Sequence, residues 1–203
     1  MSERPPVTLS REFIIDGLRE LLEELLPSAA PVVIQIVGGA AIALSLDASR
    51  RATRDVDGPL TPVGPIEQAA RRVAARRGWP DDWINDSAAQ FLPNGFGRRT
   101  AEWTTIHADE RATIQVATPA TLLAMKLHAA QRRGPRDAGD LAVLLRALEV
   151  GTVDEAEELY GDFYAGEGLN AATWSLVETL LTAAPDVVTP EPPDFSAHGR
   201  IDP

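Results

Sequence analysis

The sequence predicts an α/β fold over residues 1–118, followed by a C-terminal helical bundle over residues 119–184. The apolar run Val32–Val37 has the length of a buried strand, and two later segments of alternating residues have the pattern of a hairpin. Apolar residues after residue 118 recur at helical spacing. The segment 185–203 is acidic, has five prolines and little apolar content, and therefore predicts a loose tail.

Local signals define each element in turn. The predicted elements are helix 11–26, strand 32–37, helix 40–46, strand 54–59, helix 66–77, a turn and short helix within 79–91, hairpin strands 102–107 and 113–117, a helix from 119, and helices at 137–148, from 152 and at 170–183. Ser10 and Asn170 suit N-caps, and Thr152 with Glu155 has the spacing of a capping box. Pro119 suits the first turn of a helix.

Composition excludes several classes of protein. A chain of 203 residues that is 44% hydrophobic can bury one sizeable core. It has no cysteine, which excludes a disulfide framework, a thiolate nucleophile and a zinc–cysteine site. No apolar run reaches about 18 residues, and the N-terminus lacks the features of a signal peptide. We therefore expect a cytoplasmic protein without a membrane span.

The net charge of −11 is unevenly distributed along the chain. Residues 147–203 contain twelve acidic residues and one basic residue, whereas residues 1–146 contain eighteen of each and sum to zero. Arginines cluster within the neutral part, and arginine gives bidentate phosphate contacts. The clusters lie at 50–54, 71–77, 98–99 and 132–136. An arginine-rich composition explains most of them, but their distribution weakens the objection that the net charge raises against nucleic acid.

Asp55 and Asp57 form the strongest chemical signal. At positions i and i+2 of an extended segment, their side chains point to one face, with Cα atoms roughly 6.5–7 Å apart. Such carboxylates can converge on Mg²⁺ or Mn²⁺, hard cations whose oxygen ligands are completed in part by substrate phosphates. Taken alone, the pair is more typical of an acidic turn, because Gly58 and Pro59 follow. The preceding segment of the chain, however, favours a metal site over an acidic turn.

That preceding segment contains a glycine pair at the start of a predicted helix. Gly38 and Gly39 follow the apolar strand, and backbone N–H groups at a helix start favour phosphate. The order strand, Gly-Gly, helix, strand, Asp-x-Asp would bring the carboxylates close to this helix start. The arrangement favours nucleotide chemistry, although the glycines match neither a Walker nor a dinucleotide fingerprint.

Lys126 is the single lysine of the chain and lies in an otherwise apolar helical segment. Its stem could extend along apolar surface and leave the ammonium group in solvent. Alternatively, the ammonium group could serve as a point charge for the phosphates of a nucleotide. The sequence does not distinguish these two interpretations.

A charged cluster opens the next predicted helix. Asp137 could cap that helix, with Asp140 one turn later near its positive end. The functional alternative pairs Asp140 with Lys126 or places it beside the metal, with Arg136 on phosphate. The sequence slightly favours the cap.

The histidines and serines give no further catalytic pattern. No His-x-x-x-His pair is present, so His107, His128 and His198 are not predicted as zinc ligands. No serine lies in a Gly-x-Ser-x-Gly elbow, which argues against a serine hydrolase.

The order of these motifs resembles that of a known fold family. Val37–Ala40, followed by Arg51–Asp57, resembles the first motif of nucleotidyltransferase-fold proteins. Leu122–Leu127 and Arg136–Leu141 resemble later motifs of the AbiEii/MenT-like branch, which includes toxins of bacterial toxin–antitoxin pairs. The resemblance covers roughly residues 32–148. Two further stretches, Trp83–Asp86 and Phe91–Pro93, look like an uncharacterised sub-branch of the same superfamily.

The resemblance implies a nucleotidyltransferase-like mixed sheet with flanking helices and a helical C-terminal bundle. It also implies metal-dependent transfer of a nucleoside monophosphate from an NTP, with release of pyrophosphate. The residue roles that it implies are Asp55 and Asp57 on Mg²⁺ or Mn²⁺, Gly38, Gly39, Thr53, Arg54 and Arg136 on the nucleotide, Lys126 on phosphate charge, and Asp140 on the acceptor side or the metal.

One departure from the family pattern leaves the general base unassigned. Many such transferases carry a third carboxylate on the following strand, for which this chain offers Glu102, Asp109 and Glu110 without convincing context. The leading hypothesis is a toxin of a toxin–antitoxin pair that transfers a nucleotide to RNA, with the acceptor end of tRNA as the target. The alternatives are transfer to a small molecule such as an antibiotic, transfer to a protein, and a catalytically silent nucleotide-binding module.

Overall fold

The computed structural model describes residues 7–25, 30–93, 95–183 and 185–195. It is a mixed α/β fold with short 3₁₀ helices at Ser87–Phe91 and Pro135–Asp137. The helices are α1 Arg11–Glu24, α2 Gly38–Ser45, α3 Val63–Arg77, α4 Pro119–Arg133, α5 Ala138–Ala147, α6 Val153–Phe163 and α7 Ala171–Leu181. The strands are β1 Val32–Ile36, β2 Val56–Asp57, β3 Leu60–Thr61, β4 Ile84–Asn85, β5 Trp103–Ala108 and β6 Ala112–Ala117.

The main sheet has the strand order β3-β1-β6-β5. β1 runs parallel to β6, while β3 and β5 run antiparallel to their neighbours, so the sheet is mixed. Residues alternate between a buried face and a half-buried face, as in Ile34 and Gln35 of β1. On the half-buried face the side-chain amide of Gln35 donates to Gln115 over 2.9 Å. The buried face of the sheet therefore supplies the core, in agreement with the apolar run of the sequence.

A second, two-stranded sheet pairs β2 with β4 in parallel, with Asp57 opposite Asn85. This sheet is joined to the end of β1, because the Val37 N–H donates to the Asp57 carbonyl over 2.8 Å. Gly58 makes the close approach possible: its φ is +149°, and a Cβ at this position would overlap the Gln35 carbonyl. The chain geometry thus fixes Asp57 beside the start of α2.

The helical subdomain is built around α4, which packs against α5, α6 and α7. Thr118 caps α4, Asn170 caps α7, and Thr152 with Glu155 forms a reciprocal capping box at α6. One continuous hydrophobic cluster joins the strands to the helical subdomain and includes both Ile34 and Leu141. The packing therefore holds α4 firmly against the α/β part.

The predicted elements are largely present, with shifted boundaries. The buried strand, the hairpin, the Ser10 cap and the four C-terminal helices are confirmed. The predicted strand 54–59 is reduced to the two residues of β2, and neither β3 nor β4 was expected. The predicted end of the first helix, residue 26, lies outside the described residues.

The described part of the tail makes specific contacts with the rest of the chain. The Ala48 N–H donates to the Val188 carbonyl over 2.7 Å, and the Arg19 guanidinium donates to the Asp194 carbonyl over 2.6 Å. Phe195 is buried in the main hydrophobic cluster. The composition predicts a loose tail, whereas these residues lie along α1 and the segment after α2.

Within the described residues, no helix combines the length and the apolar composition that a membrane span requires.

Candidate active site

A cavity of about 460 Å³ lies between the α/β part and α4. It contains the glycine pair, Asp57 and Lys126, so the structure brings these motifs of the sequence together. The lining residues are Val37, Gly38, Gly39, Arg50, Thr53, Asp57, Ser87, Ala88, Phe91, Leu122, Met125, Lys126, His128, Ala129, Arg132, Arg133 and Asp137. This cavity has the size and the mixed lining of a site for a small molecule.

The start of α2 forms one wall of the cavity. Val37 occupies the N-cap position, and no side chain accepts a hydrogen bond from the first turn of this helix. The start of the helix therefore has no side-chain cap, and Gly38 and Gly39 line the cavity, so that its N–H groups are not taken by a side chain, as an anion-binding helix start requires. Gly39 has a second role, because a Cβ there would overlap the Arg50 guanidinium, which lies directly over it.

Asp57 lines the cavity, and Asp55 lies beside Asp57 but is not among the lining residues. Burial and, after it, the negative charge of Asp55 raise the pKa of Asp57 to about 6. Burial also raises the pKa of Asp55, with Asp82 adding a like charge. A hydrogen bond from the Asn85 side chain acts in the opposite direction on Asp57. The positive charges of Arg54 and Lys126 also oppose these shifts, but the pKa values of both carboxyl groups remain raised.

The acid pair fits a divalent cation by its chemistry. Two half-buried carboxylates that repel one another supply the oxygen ligands that Mg²⁺ or Mn²⁺ prefers. Among the described residues, no group of three or more Asp, Glu, His or Cys side chains is arranged to hold a metal. Asp55 and Asp57 would thus hold an ion only together with other oxygen ligands, such as phosphates or water.

Lys126 lies in an ion-pair network on the opposite wall. Its Nζ contacts Asp137 Oδ1 at 2.8 Å and Asp140 Oδ2 at 2.7 Å. Arg50 donates to both oxygens of Asp140, from Nε over 2.8 Å and from Nη2 over 3.0 Å. The pKa of Asp140 is lowered although burial acts to raise it, because the two cations outweigh the burial.

This network resolves two alternatives left by the sequence. The Lys126 side chain is only 12% exposed, so its ammonium group does not extend to bulk solvent. Asp137 occupies the N-cap position of α5, but its side chain makes no cap hydrogen bond and pairs with Lys126 instead. The preference for a capping role of Asp137 is therefore wrong, because the buried cation competes successfully for its carboxylate.

The remaining nucleotide-binding predictions lie in different environments. Thr53 lines the cavity. Arg54 is exposed, and its charge acts to lower the pKa of Asp55. Arg136 is exposed on the 3₁₀ turn after α4, whereas Arg132 and Arg133 are the arginines from this cluster that line the cavity.

Each of the three candidates for a third carboxylate either has other hydrogen-bond partners or is exposed. Glu102 accepts both hydrogen bonds of the Arg99 guanidinium, at 2.9 and 2.7 Å. Asp109 accepts backbone N–H groups in the hairpin turn, and Glu110 is exposed in the same turn. That turn adjoins the start of β1, because Val32 pairs with Ala112, while the acid pair lies beyond the other end of β1.

Most arginines of the 71–77 cluster contact carboxylates of α1. Arg72 and Arg76 pair with Glu24, and Arg77 pairs with Glu20. These groups link α1 to α3, which confirms that this cluster is not an open basic surface.

Sequence reasoning missed Asn85, Arg50 and His128. Asn85 lies within the stretch Trp83–Asp86 that the sequence analysis noted, but its pairing with Asp57 depends on the parallel register of β2 and β4. Arg50 lies 90 residues from its partner Asp140, so no local pattern indicates that pair. His128 has no metal-ligand spacing, so the sequence did not predict a role for it.

One family model matches this chain: the nucleotidyl transferase AbiEii toxin of type IV TA systems, over residues 95–197. The matched segment contains Lys126, Asp137 and Asp140 and begins after the acid pair. No curated protein and no solved structure gives a significant match. The match spans just over half of the chain, and the mixed α/β architecture is consistent with a nucleotidyltransferase-like fold. The chain therefore belongs to the AbiEii family of nucleotidyl transferase toxins, whose members act within toxin–antitoxin pairs.

Proposed function

We propose that this protein is a metal-dependent transferase that moves a nucleoside monophosphate from an NTP to RNA, with the acceptor end of tRNA as the target. The observation that carries the proposal is the shared cavity, in which Asp57, the start of α2 and Lys126 lie together. A metal-binding carboxylate, a phosphate-binding helix start and a cation are the parts that nucleotidyl transfer needs.

In this proposal Asp55 and Asp57 hold Mg²⁺ or Mn²⁺, and the bound ion supplies stabilisation of the negative charge that develops on the phosphate oxygens. Gly38 and Gly39 bind the triphosphate through the start of α2, and Thr53 lies beside it in the cavity. These groups orient the NTP, and orientation is the main contribution of a protein to phosphoryl-type transfer.

Lys126 supplies positive charge to the phosphates, while Asp137 and Asp140 hold its ammonium group in place. Asp140 acts through Lys126 and Arg50, since both of its oxygens are engaged with these cations. We assign Arg54 and Arg136, both exposed, to phosphate contacts at the rim of the site.

The charge of the rim favours RNA as the acceptor. Arg132 and Arg133 line the cavity, are exposed, and form no ion pair within the described part of the chain. This contrasts with Arg72 and Arg76, which α1 neutralises. Unpaired positive charge beside a transferase site attracts a polyanion and disfavours a cationic antibiotic.

The test is transfer of label from each α-labelled NTP to total bacterial RNA in Mg²⁺, with wild type beside Asp57→Asn. A matched control is Glu110→Gln, an exposed carboxylate in the hairpin turn beyond the other end of β1. We expect label on a tRNA-sized band with wild type and Glu110→Gln, and none with Asp57→Asn. Label on RNA that is unchanged by Asp57→Asn would refute the assigned site.

The same assay distinguishes the alternative acceptors. Label on protein or on a small molecule, with RNA unlabelled, would refute the RNA acceptor and retain the transferase. A silent module is the second candidate, because the described residues contain no group of three or more Asp, Glu, His or Cys side chains arranged to hold a metal. Binding of NTP with Mg²⁺ and no transfer to any acceptor would favour that candidate.

A further inference from the structure

A hydrogen-bonded chain of polar side chains lies behind the α4 wall of the cavity. His128 Nδ1 lies 2.9 Å from the Tyr160 hydroxyl oxygen, and the Tyr160 hydroxyl donates to Glu167 Oε2. Gln131 Nε2 donates to the same Tyr160 oxygen over 3.1 Å. These groups come from α4, α6 and the loop after α6, and only His128 among them lines the cavity.

The directions of these hydrogen bonds fix the tautomer of His128. The Asn170 N–H donates to Gln131 Oε1 over 2.6 Å, so the amide of Gln131 must present its NH₂ group to Tyr160. The single hydroxyl proton of Tyr160 goes to Glu167, since a carboxylate can only accept. Tyr160 therefore accepts from His128, which places the proton of the neutral imidazole on Nδ1 and leaves a lone pair on Nε2.

Packing holds the ring in one orientation. The His128 and Tyr164 rings are stacked, with centroids 4.4 Å apart and planes 8° apart. The Tyr164 hydroxyl donates to the Phe91 carbonyl over 2.8 Å, and Phe91 itself lines the cavity. In the described part of the chain, Nε2 of His128 makes no hydrogen bond. The ring thus has its proton directed into the protein and its free nitrogen available to the cavity.

We propose that His128 is the proton acceptor of the transfer reaction, with Nε2 taking the proton of the acceptor hydroxyl group. The proposal rests on the proposed function and fills the role of general base, which the sequence leaves unassigned. As the acceptor oxygen forms its bond to the α-phosphorus, its proton passes to Nε2, and the bond from phosphorus to the bridging oxygen breaks. Pyrophosphate leaves, and the imidazolium then releases the proton to solvent. Tyr160 and Glu167 are positioning residues that stabilise the imidazolium through Nδ1.

The charges around the ring agree with this role. Burial lowers the pKa of His128, and the positive charge of Arg132 lowers it further, whereas Glu167 acts to raise it. The other titratable groups that face the ring are the hydroxyls of Tyr160 and Tyr164, and burial raises the pKa of both. His128 is therefore unprotonated at neutral pH, as a proton acceptor requires.

The first experiment measures single-turnover transfer by wild type, His128→Gln and Tyr160→Phe, with His107→Gln as the matched control. His107 lies on β5 and is not among the residues that line the cavity. We expect His128→Gln to slow transfer by about 10²–10⁴-fold with NTP affinity nearly unchanged. Tyr160→Phe should give a smaller loss and shift the acidic limb of the pH–rate profile. A His128→Gln variant that binds NTP weakly but transfers at the wild-type rate would overturn the proposal.

The second experiment requires no activity and uses ¹⁵N NMR of the histidine rings in the wild-type protein. The His128 signals, identified by their loss in His128→Gln, should show a protonated Nδ1 and a bare Nε2 at pH 7. A ring protonated on Nε2 at this pH would overturn the inference even if the transferase is active. Conversely, the expected tautomer in a protein without transfer to any acceptor would refute the proposed function, and with it the catalytic role of His128.

Discussion

Two half-buried acidic clusters border the same cavity, and their electrostatics are opposite. Asp140 lies between Arg50 and Lys126, at 2.8 and 2.7 Å, and its pKa is lowered. Asp57 lies beside Asp55, and its pKa is raised to about 6. Burial is the largest influence in both cases and acts in the same direction. The neighbouring charges alone determine that one cluster is neutralised within the chain and the other is not.

This difference distinguishes the Asp140 cluster, which stabilises the fold, from the acid pair, which is the candidate binding site. The Asp140 cluster links α5 and α4 to the segment after α2, so it stabilises the walls of the cavity without any ligand. The ionised acid pair is disfavoured by the fold, because the loss of hydration and the mutual repulsion outweigh the hydrogen bond from Asn85. A group that costs stability in the free protein is most easily explained by a function that uses its charge.

The largest expected effect is on transfer by Asp57→Asn. Removal of one of two carboxylates should weaken the hold on the ion and lower the rate at least about 100-fold, since electrostatic stabilisation of this kind contributes several kcal/mol. Thermal unfolding with and without Mg²⁺ gives a second measurement. Mg²⁺ should raise the Tm of wild type and leave that of Asp57→Asn unchanged, because a ligand stabilises only the state that binds it. Equal shifts in both proteins would contradict the metal assignment.

The next effect is on stability, through Asp140→Asn. The substitution leaves the Arg50 and Lys126 side chains, 18% and 12% exposed, with fewer negative partners. Loss of one member of a buried ion-pair network typically costs about 3 kcal/mol. Urea denaturation should show this loss, whereas Asp57→Asn should leave the metal-free protein as stable as wild type or more so.

Asp16→Asn is the control, because Asp16 pairs with Arg19 and, at 3.9 Å, with Arg77, but its side chain is 43% exposed. An exposed pair of this kind contributes at most about 1 kcal/mol. If Asp140→Asn were no more destabilising than Asp16→Asn, the network would not hold the cavity walls.

Gly39→Ala should have a smaller effect on the same network. A Cβ at position 39 would overlap the Arg50 guanidinium and displace it from Asp140. Because the displaced group is the end of a flexible side chain, we expect a loss of about 1–2 kcal/mol in the free energy of unfolding. Gly64→Ala is the control, since a Cβ there meets nothing within 4 Å in α3. A stabilised Gly39→Ala variant would show that Arg50 moves without cost.

The sequence was informative wherever a signal is local. Helices α4 to α7 and the hairpin follow from periodicity and caps, and the acid pair follows from its spacing. Strands β3 and β4 have two residues each and exist only through their partners, so no run of residues indicates them. The ion pair of Arg50 with Asp140 and the hydrogen bond of His128 with Tyr160 join residues 90 and 32 positions apart. Tertiary packing alone creates such contacts, and they complete the candidate site.

The smallest expected effect is on the pH dependence of stability. It tests whether the pKa shifts of Asp57 and Asp140 have opposite signs. In the metal-free protein, the raised pKa of Asp57 favours the protonated form in the folded state. Its contribution to stability is present below the unfolded pKa of about 3.9 and is lost as the pH rises through about 6. Asp140 behaves oppositely: its contribution is present above about 3.9 and is lost as the pH falls through its lowered pKa.

Asp57→Asn removes the pH dependence of stability that Asp57 contributes and keeps the one that Asp140 contributes. In EDTA, the Tm of this variant should equal that of wild type near pH 4 and exceed it by roughly 2–4 °C at pH 7, which corresponds to about 1 kcal/mol in a chain of this length. Mg²⁺ at pH 7 should reverse the order, because only wild type gains from the ion. A Tm difference that is the same at both pH values would show that the two carboxylates do not repel each other in the folded protein. The charge available to a ligand would then have to come from elsewhere in the cavity.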